Sequence, residues 1–265
     1  MVEVKLIDKK GDWLTFLIKK ASPAYINTLR RTILDEVPTM AIEEVEFRKN
    51  DSILYDELVA HRLGLIPLST DLKSYNLPEK CTCEGTGCAK CQLDLTLKTK
   101  ASGVIDASKL KSKDPKVKPI HDDMIITKLT EGQELEFAAK ACLGRGKVHA
   151  KWSPGHAFFK QKPIINILKA DQTEAAVNAC PVNVFDLKGN KAAVNKSNEM
   201  KCHLCQACVE ACPRGAIEVY GAPDEFIFSV ESWGQLKPKE VVSQAVVEFI
   251  EKLDEFSKLV GELSE

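Results

Sequence analysis

An α+β fold with more than one domain is predicted by three features of this sequence. The 265 residues exceed the ~100–200 that a single domain usually takes. Strand-like alternation opens the chain and recurs in its middle, and amphipathic helical patterns follow the first strands and end the chain. Hydrophobic residues make up 44% and charged residues 28%, so a folded protein with a real core is expected. The net charge of −1 argues against a surface built mainly to neutralise nucleic-acid phosphates.

The N-terminal segment predicts a β-hairpin followed by a helix. Residues 2–7 alternate between apolar and charged, and residues 13–18 form a second β-rich run after a Lys-Gly-Asp turn. Ser22 is a suitable N-cap for a helix that starts at Pro23 and ends before Pro38. The apolar stripe of this helix contains Ile26, Leu29, Ile33 and Val37.

The middle of the chain predicts further strands. Residues 39–58 combine strand and helix material, and strand patterns follow in 93–107, 124–129 and 135–141. Residues 140–169 contain seven Lys or Arg and no Asp or Glu. This basic stretch is either a solvated face balanced by acidic neighbours in space, or a patch that faces a partner or nucleic acid.

The C-terminal residues 237–263 predict an amphipathic helix of about seven turns. Its apolar residues recur at three- and four-residue steps and are Val242, Ala245, Val246, Phe249, Leu253, Phe256, Val260 and Leu263. Such a helix either packs on its own domain or supplies a subunit interface, because a stripe of this length can exceed the core of a small domain.

The most informative pattern is a run of cysteines typical of bacterial ferredoxins. Cys202, Cys205, Cys208 and Cys212 follow the spacing C-x2-C-x2-C-x3-C-P, in which closely spaced thiolates hold one iron–sulfur cluster. The fourth ligand of that cluster is a remote Cys-Pro, and Cys180 supplies it. The predicted ligands are therefore Cys180, Cys202, Cys205 and Cys208. A [4Fe-4S] cluster is favoured, a [3Fe-4S] cluster would follow if one ligand is displaced or oxidised, and zinc or disulfides on the same thiols are the alternatives.

A second cluster is not expected. The segments around Cys180 and Cys212 repeat at an offset of 32 residues, but the remaining positions of the first repeat hold Ala170, Thr173 and Ala176. Cys212 is thereby left without a cluster, either as a buried thiol or paired with another cysteine.

A separate cysteine loop predicts a structural metal site. Cys81, Cys83, Cys88 and Cys91 place four thiols within eleven residues, and the glycines between them allow a tight backbone. Four sulfur ligands leave no open position on zinc. The short Cys-x-Cys gap departs from the usual spacing, so disulfides or a reduced loop without metal remain alternatives.

Three short segments within residues 27–68 have distinctive sequences. Asn-Thr-Leu-Arg-Arg stands at 27–31, Pro-Thr-Met-Ala-Ile at 38–42, and His-Arg-Leu-Gly-Leu-Ile-Pro-Leu at 61–68. With these segments the chain resembles the D-subunit family of archaeal DNA-directed RNA polymerase, which is related to the amino-terminal domain of the bacterial alpha subunit and to the third-largest eukaryotic polymerase II subunit. His-Ala-Lys-Trp-Ser-Pro at 149–154 is similar to the same family, as are the positions of both cysteine clusters.

The resemblance implies a split dimerisation domain at 1–45 and 223–265, a mainly β inserted domain at 46–165 with the four-cysteine loop, and a ferredoxin-like domain at 166–222. It further implies a heterodimer with the small subunit L, on which the two large catalytic subunits dock. Arg30 and Arg31 would contact large subunits, or would be ordinary surface arginines. The residues expected to pack against a partner are Ile26, Leu29, Ile33, Val246, Phe249 and Leu253.

No catalytic site is expected in this chain. Asp-x-Asp does not occur, and the Gly144–Lys147 tract lacks the spacing of a phosphate-binding loop. The expected function is a non-catalytic assembly subunit of DNA-directed RNA polymerase, and the main alternative is a ferredoxin-like electron-transfer subunit of an oxidoreductase. A cytoplasmic location and no membrane contact are also expected, because no signal sequence or long apolar segment occurs. No sequence-specific nucleic-acid contact is expected, because the net charge is near zero and aromatic residues make up only 6%.

Overall fold

The computed structural model describes residues 1–169, 172–189 and 191–263 and confirms a mixed fold of helices and strands. The strands are β1 (Glu3–Lys10), β2 (Trp13–Lys19), β3 (Thr39–Asn50), β4 (Gln92–Thr99), β5 (Gly103–Asp106), β6 (Lys111–Ser112), β7 (Ile125–Leu129), β8 (Leu135–Gly144), β9 (Gly155–Ile167), β10 (Phe185–Lys188), β11 (Lys191–Val194) and β12 (Ile217–Ser232). The helices are α1 (Pro23–Asp35), α2 (Asp56–Gly64), α3 (Glu174–Ala179), α4 (Ala207–Glu210) and α5 (Pro238–Glu262).

One compact unit consists of residues 1–9, 15–28 and 158–229. Most of the four-stranded sheet with strand order β1-β2-β12-β9 belongs to it. Phe16 and Phe228 stack in its interior with ring centroids 5.4 Å apart. The cysteine-rich segment adds α3, α4 and the β10–β11 hairpin, in which Phe185 is paired with Val194. Thiols contribute to the small core of this segment together with Val184 and Ile217.

The second unit consists of residues 10–14, 29–157 and 230–265. Its sheet has the order β3-β8-β4-β6, and β3 and β8 are antiparallel from the Thr39–Gly144 pair to the Asn50–Leu135 pair. Alternate residues of β4 and β8 point into one core, as expected for a sheet with one buried face. The single strand pattern predicted at 93–107 is two strands here, because the chain turns before Gly103, whose φ is +112°.

Both predicted end helices are confirmed. At the start of α1 the Tyr25 N–H donates to the Ser22 hydroxyl at 3.2 Å, which is the expected N-cap. At the start of α5 the Lys237 N–H donates to the Glu240 carboxylate at 3.0 Å. No helix in the described part of the chain is long and apolar enough to span a bilayer.

The α1 stripe is not a partner surface in this structure. Ile26 and Ile33 are 0% exposed and Leu29 is 9% exposed, so these side chains lie inside the chain's own fold. The expectation that both end helices offer apolar stripes to a partner is therefore wrong for α1. Helical periodicity shows that a face is buried but does not identify what covers it.

The basic stretch at 140–169 is balanced by acidic neighbours. Lys140 pairs with Glu44 at 3.0 Å, Lys162 pairs with Glu225 at 2.8 Å, and Lys151 pairs with a glutamate of β3. The structure therefore supports the solvated-face interpretation over a nucleic-acid patch.

Candidate functional site

The four-cysteine loop lies between a short helical turn at Pro78–Lys80 and β4. The loop reverses direction through residues with positive φ, namely Glu84 at +51°, Gly85 at +80° and Gly87 at +95°. The Glu84 N–H also donates to the carbonyl of Cys81 at 3.0 Å. These turns bring residues that are distant along the loop to one point.

The sulfur atoms of this loop are arranged as ligands of a single ion. All four Sγ atoms lie within 4.8 Å of one another, with 3.6 Å between Cys81 and Cys88 and 3.5 Å between Cys83 and Cys91. Four sulfurs at about 2.3 Å from a tetrahedral zinc are themselves about 3.8 Å apart. A disulfide needs about 2.05 Å, and all ten cysteines are free thiols here. The donor set fits a closed tetrahedral thiolate site.

The thiols of this loop differ in how readily they lose a proton. The hydrogen bond from Cys91 lowers the pKa of the Cys83 thiol to about 6, and burial raises the pKa of the Cys91 thiol to about 12. Thiols that are still protonated must lose their protons when a metal binds.

The four predicted iron–sulfur ligands, Cys180, Cys202, Cys205 and Cys208, line one small cavity whose other walls are mainly apolar. Cys202 and Cys208 are buried, Cys180 is half-buried and Cys205 is exposed. Leu204 and Gln206 adopt positive φ values of +61° and +67°, which turns the backbone between successive ligands. Among the described residues only the 81–91 loop gathers three or more potential ligand atoms as tightly as a single ion requires. The wider thiol arrangement at this cavity fits a multi-atom cluster.

Backbone and side-chain groups support these thiols. The Val184 N–H donates to the Cys180 sulfur at 3.3 Å, and the Lys160 ammonium donates to the Cys202 carbonyl at 2.8 Å. Burial raises the pKa of the Cys208 thiol to about 11, and the neighbouring Cys180 and Cys202 sulfurs add to this shift. A bound iron–sulfur cluster, whose iron core is positively charged, would offset the free-energy cost of forming a buried thiolate.

The positions of a second cluster are occupied by core residues. Thr173 and Ala176 are 0% exposed, and the Thr173 hydroxyl accepts the Ala192 N–H at 3.0 Å. Cys212 is a free thiol, 8% exposed, in the same core as Ala176. Of the two alternatives for Cys212, the structure shows the buried thiol. Ala170 lies outside the described residues.

The distal part of α5 is an uncovered amphipathic surface. From residue 250 to 263 every residue is exposed. From residue 246 onwards, exposed large apolar side chains recur at three- or four-residue steps. We call this set the α5 face, and it consists of Val246, Ile250, Leu253, Phe256, Leu259 and Leu263. Of the other predicted interface residues, Phe249 and Arg30 are half-buried, and Arg31 is exposed and 3.8 Å from Asp35.

An ion network around Arg145 was not predicted from the sequence. This guanidinium, whose side chain is 18% exposed, binds Glu248 of α5 at 3.2 Å and also contacts Glu79 and Glu36. The Glu248 side chain is only 6% exposed. The glycine after Arg145 is the one sequence feature that hints at this close packing, because a Cβ at Gly146 would clash with the Leu34 carbonyl. The network joins α5 to the residue that follows α1 and to the helical turn that precedes the cysteine loop.

Comparison with known proteins adds two domain matches and a set of full-length relatives. Residues 41–157 match the RNA polymerase Rpb3/RpoA insert domain, and residues 196–218 match the 4Fe-4S binding domain. The chain is 38% identical to DNA-directed RNA polymerase subunit Rpo3 of Methanosphaera stadtmanae, over 98% of this chain and 99% of the relative. It is 37% identical to the subunit Rpo3 of Pyrococcus horikoshii over 97% and 96%, and 36% identical to that of Archaeoglobus fulgidus over 99% of both chains.

Proposed function

Because the chain belongs to the family of archaeal DNA-directed RNA polymerase subunit Rpo3, we propose that it is the platform on which the other polymerase subunits assemble. It is a non-catalytic subunit of this nucleotidyltransferase. The observation that carries the function is similarity to polymerase subunits along nearly the whole chain. The ferredoxin-like oxidoreductase alternative is not favoured, because that similarity extends far beyond the iron–sulfur segment.

The direct test is an anaerobic affinity purification of the tagged chain from its native cell extract, with the bound proteins identified by mass spectrometry. Recovery of both large polymerase subunits and a small subunit L is the expected result. Recovery of a dehydrogenase or reductase in their place would instead support electron transfer.

The small subunit L is the partner that we assign to the α5 face. A folded chain rarely leaves this much apolar helix surface uncovered, and Leu253 and Phe256 are 51% and 64% exposed. The large catalytic subunits would then dock on the heterodimer, with Arg30 and Arg31 among the contacts. We place the dimerisation domain at 1–45 and 223–265, the insert at 46–165 and the iron–sulfur domain at 166–222, in a cytoplasmic protein.

Charged residues on the α5 face are expected to abolish heterodimer formation. The double variant Leu253→Glu, Phe256→Glu places two carboxylates where apolar area must leave water, which raises the dissociation constant by at least about 100-fold. Titration calorimetry with purified subunit L measures the effect.

Leu187→Glu is the matched control, because Leu187 is a similarly exposed apolar residue, at 49%, on β10. It should bind subunit L normally. Unchanged affinity in the double variant, with its helix content retained, would remove the α5 face from the interface.

We assign one iron–sulfur cluster to Cys180, Cys202, Cys205 and Cys208, as a [4Fe-4S] cluster that becomes [3Fe-4S] if a ligand is lost. Its role in this proposal is structural, since a cluster can stabilise a domain too small to fold on its own core. We also assign a structural zinc to Cys81, Cys83, Cys88 and Cys91. The short distances between their sulfur atoms support this assignment.

Removal of one sulfur from the cysteine loop is expected to release the zinc. Cys91 is 0% exposed, so Cys91→Ser replaces a thiolate by a weaker hydroxyl ligand at a position that water does not fill. Elemental analysis of the purified chain should find one equivalent of zinc in the wild type and less than about a tenth of that in the variant.

Cys142→Ser is the control for thiol loss outside the loop, and it should keep the zinc. Intact mass after alkylation under denaturing, non-reducing conditions should show every cysteine alkylated. Protected pairs within the loop would mean disulfides and would contradict the zinc assignment.

A further inference from the structure

Lys160 enters the iron–sulfur site from outside the cysteine-rich segment. It lies on β9, 42 residues before Cys202, and its Nζ donates to the Cys202 carbonyl at 2.8 Å. The side chain is half-buried. Neither the cysteine spacing nor the match to the 4Fe-4S binding domain, which covers residues 196–218, includes this residue.

The position of this ammonium group allows its charge to influence the reduction potential of a bound cluster. A cluster held by four thiolates carries net negative charge, and charge, hydrogen bonds and solvent exposure around the sulfurs set its reduction potential. A cation at a partly buried site acts more strongly than one in bulk water, because less solvent screens it. The Nζ of Lys160 is hydrogen-bonded to the main chain of the residue that supplies one ligand, so its charge is held beside that ligand.

Lys162 provides an internal comparison on the same strand. It is also half-buried, but its Nζ binds the Glu225 carboxylate at 2.8 Å. Its charge is therefore neutralised by a partner, whereas the hydrogen bond of Lys160 goes to a neutral carbonyl. The two lysines therefore differ in whether an acidic partner neutralises the charge of the ammonium group.

We propose that Lys160 is a positioning residue for the cluster, which keeps the Cys202 loop against β9 and raises the reduction potential of the cluster through its positive charge. The inference rests on the iron–sulfur assignment made above. An added electron makes the cluster more negative, so a fixed cation stabilises the reduced form more than the oxidised form. The hydrogen bond to the Cys202 carbonyl also holds that ligand in place, which slows loss of the cluster.

The test uses the full chain, purified anaerobically, as wild type and as Lys160→Met, Lys160→Gln, Lys160→Arg and Lys162→Met. Midpoint potentials come from mediated redox titration followed by visible absorbance, and cluster loss is followed as bleaching in excess chelator. Lys160→Met should lower the potential and speed cluster loss about tenfold, since a charged hydrogen bond is lost. Lys160→Gln, which keeps a donor without the charge, should lower the potential as well. Lys160→Arg and Lys162→Met should stay close to the wild type.

A wild-type potential in Lys160→Gln would overturn the proposal, and so would an equal shift in Lys162→Met. If Lys160→Met does not retain the cluster at all, the comparison of the Gln and Arg variants decides. A purified wild-type chain without iron and acid-labile sulfide would reject the iron–sulfur assignment itself, which is a distinct result from a loaded chain that ignores Lys160.

Discussion

Replacement of Arg145 by methionine is expected to lower the free energy of unfolding by about 3–5 kcal/mol, because it leaves the buried Glu248 carboxylate without a cation and with only its hydrogen bond from Gln244. Glu248 is affected most, since its side chain is 6% exposed and its 3.2 Å contact with the guanidinium is lost. The other carboxylates are less affected. Glu36 keeps its ion pair with Lys252, and Glu79 is largely exposed.

Guanidinium denaturation followed by circular dichroism measures this loss. Lys140→Met is the matched control, because Lys140 and Glu44 form an exposed pair whose removal costs about 0–1 kcal/mol. The double variant Arg145→Met, Glu248→Met should recover most of the stability, since it leaves no unpaired buried charge at that pair. Equal stability of Arg145→Met and Lys140→Met would show that the network does not stabilise the fold.

Loss of one cluster ligand is expected to unfold the iron–sulfur segment. Cys208 is 7% exposed and belongs both to the cavity wall and to the small core of this segment. Cys208→Ser should reduce bound iron to less than about a tenth of the wild-type amount, because the site loses a thiolate, and the segment then loses its main source of stability. Iron and sulfide analysis measures the loss, and limited proteolysis should cut within residues 166–222.

Cys212→Ser separates ligand loss from the loss of any buried thiol. Cys212 is 8% exposed in the same core but is not among the four cavity-lining cysteines. This variant should retain iron and resist proteolysis. If Cys212→Ser loses iron while Cys180→Ser keeps it, the ligand set assigned here is wrong.

The sequence predicted those elements whose causes are local. The hairpin expected at 2–7 and 13–18 is β1 and β2, and the helix expected at 237–263 is α5. Caps, turns and periodicity act over a few residues, so they can be recognised without knowledge of the fold. The cysteine spacing is informative for the same reason, because the backbone wraps its ligands locally.

The missed features depend on contacts between distant parts of the chain. Arg145 and Glu248 are 103 residues apart in sequence, and Lys160 and Cys202 are 42 apart. One sequence does not indicate which distant residue a given arginine or lysine will contact. The stripe of α1 was misassigned for a related reason, because a buried face looks the same whether its own chain or another covers it.

The α5 face has a consequence for the amount of this protein that a cell can hold. A copy synthesised in excess of its partners leaves the distal end of α5 in water, where every residue from 250 to 263 is exposed. Such surfaces promote aggregation and mark a chain for degradation. With a partner bound on the α5 face, as proposed above, a copy would be protected, so removal of the surplus would maintain the stoichiometry of the complex without matched synthesis rates.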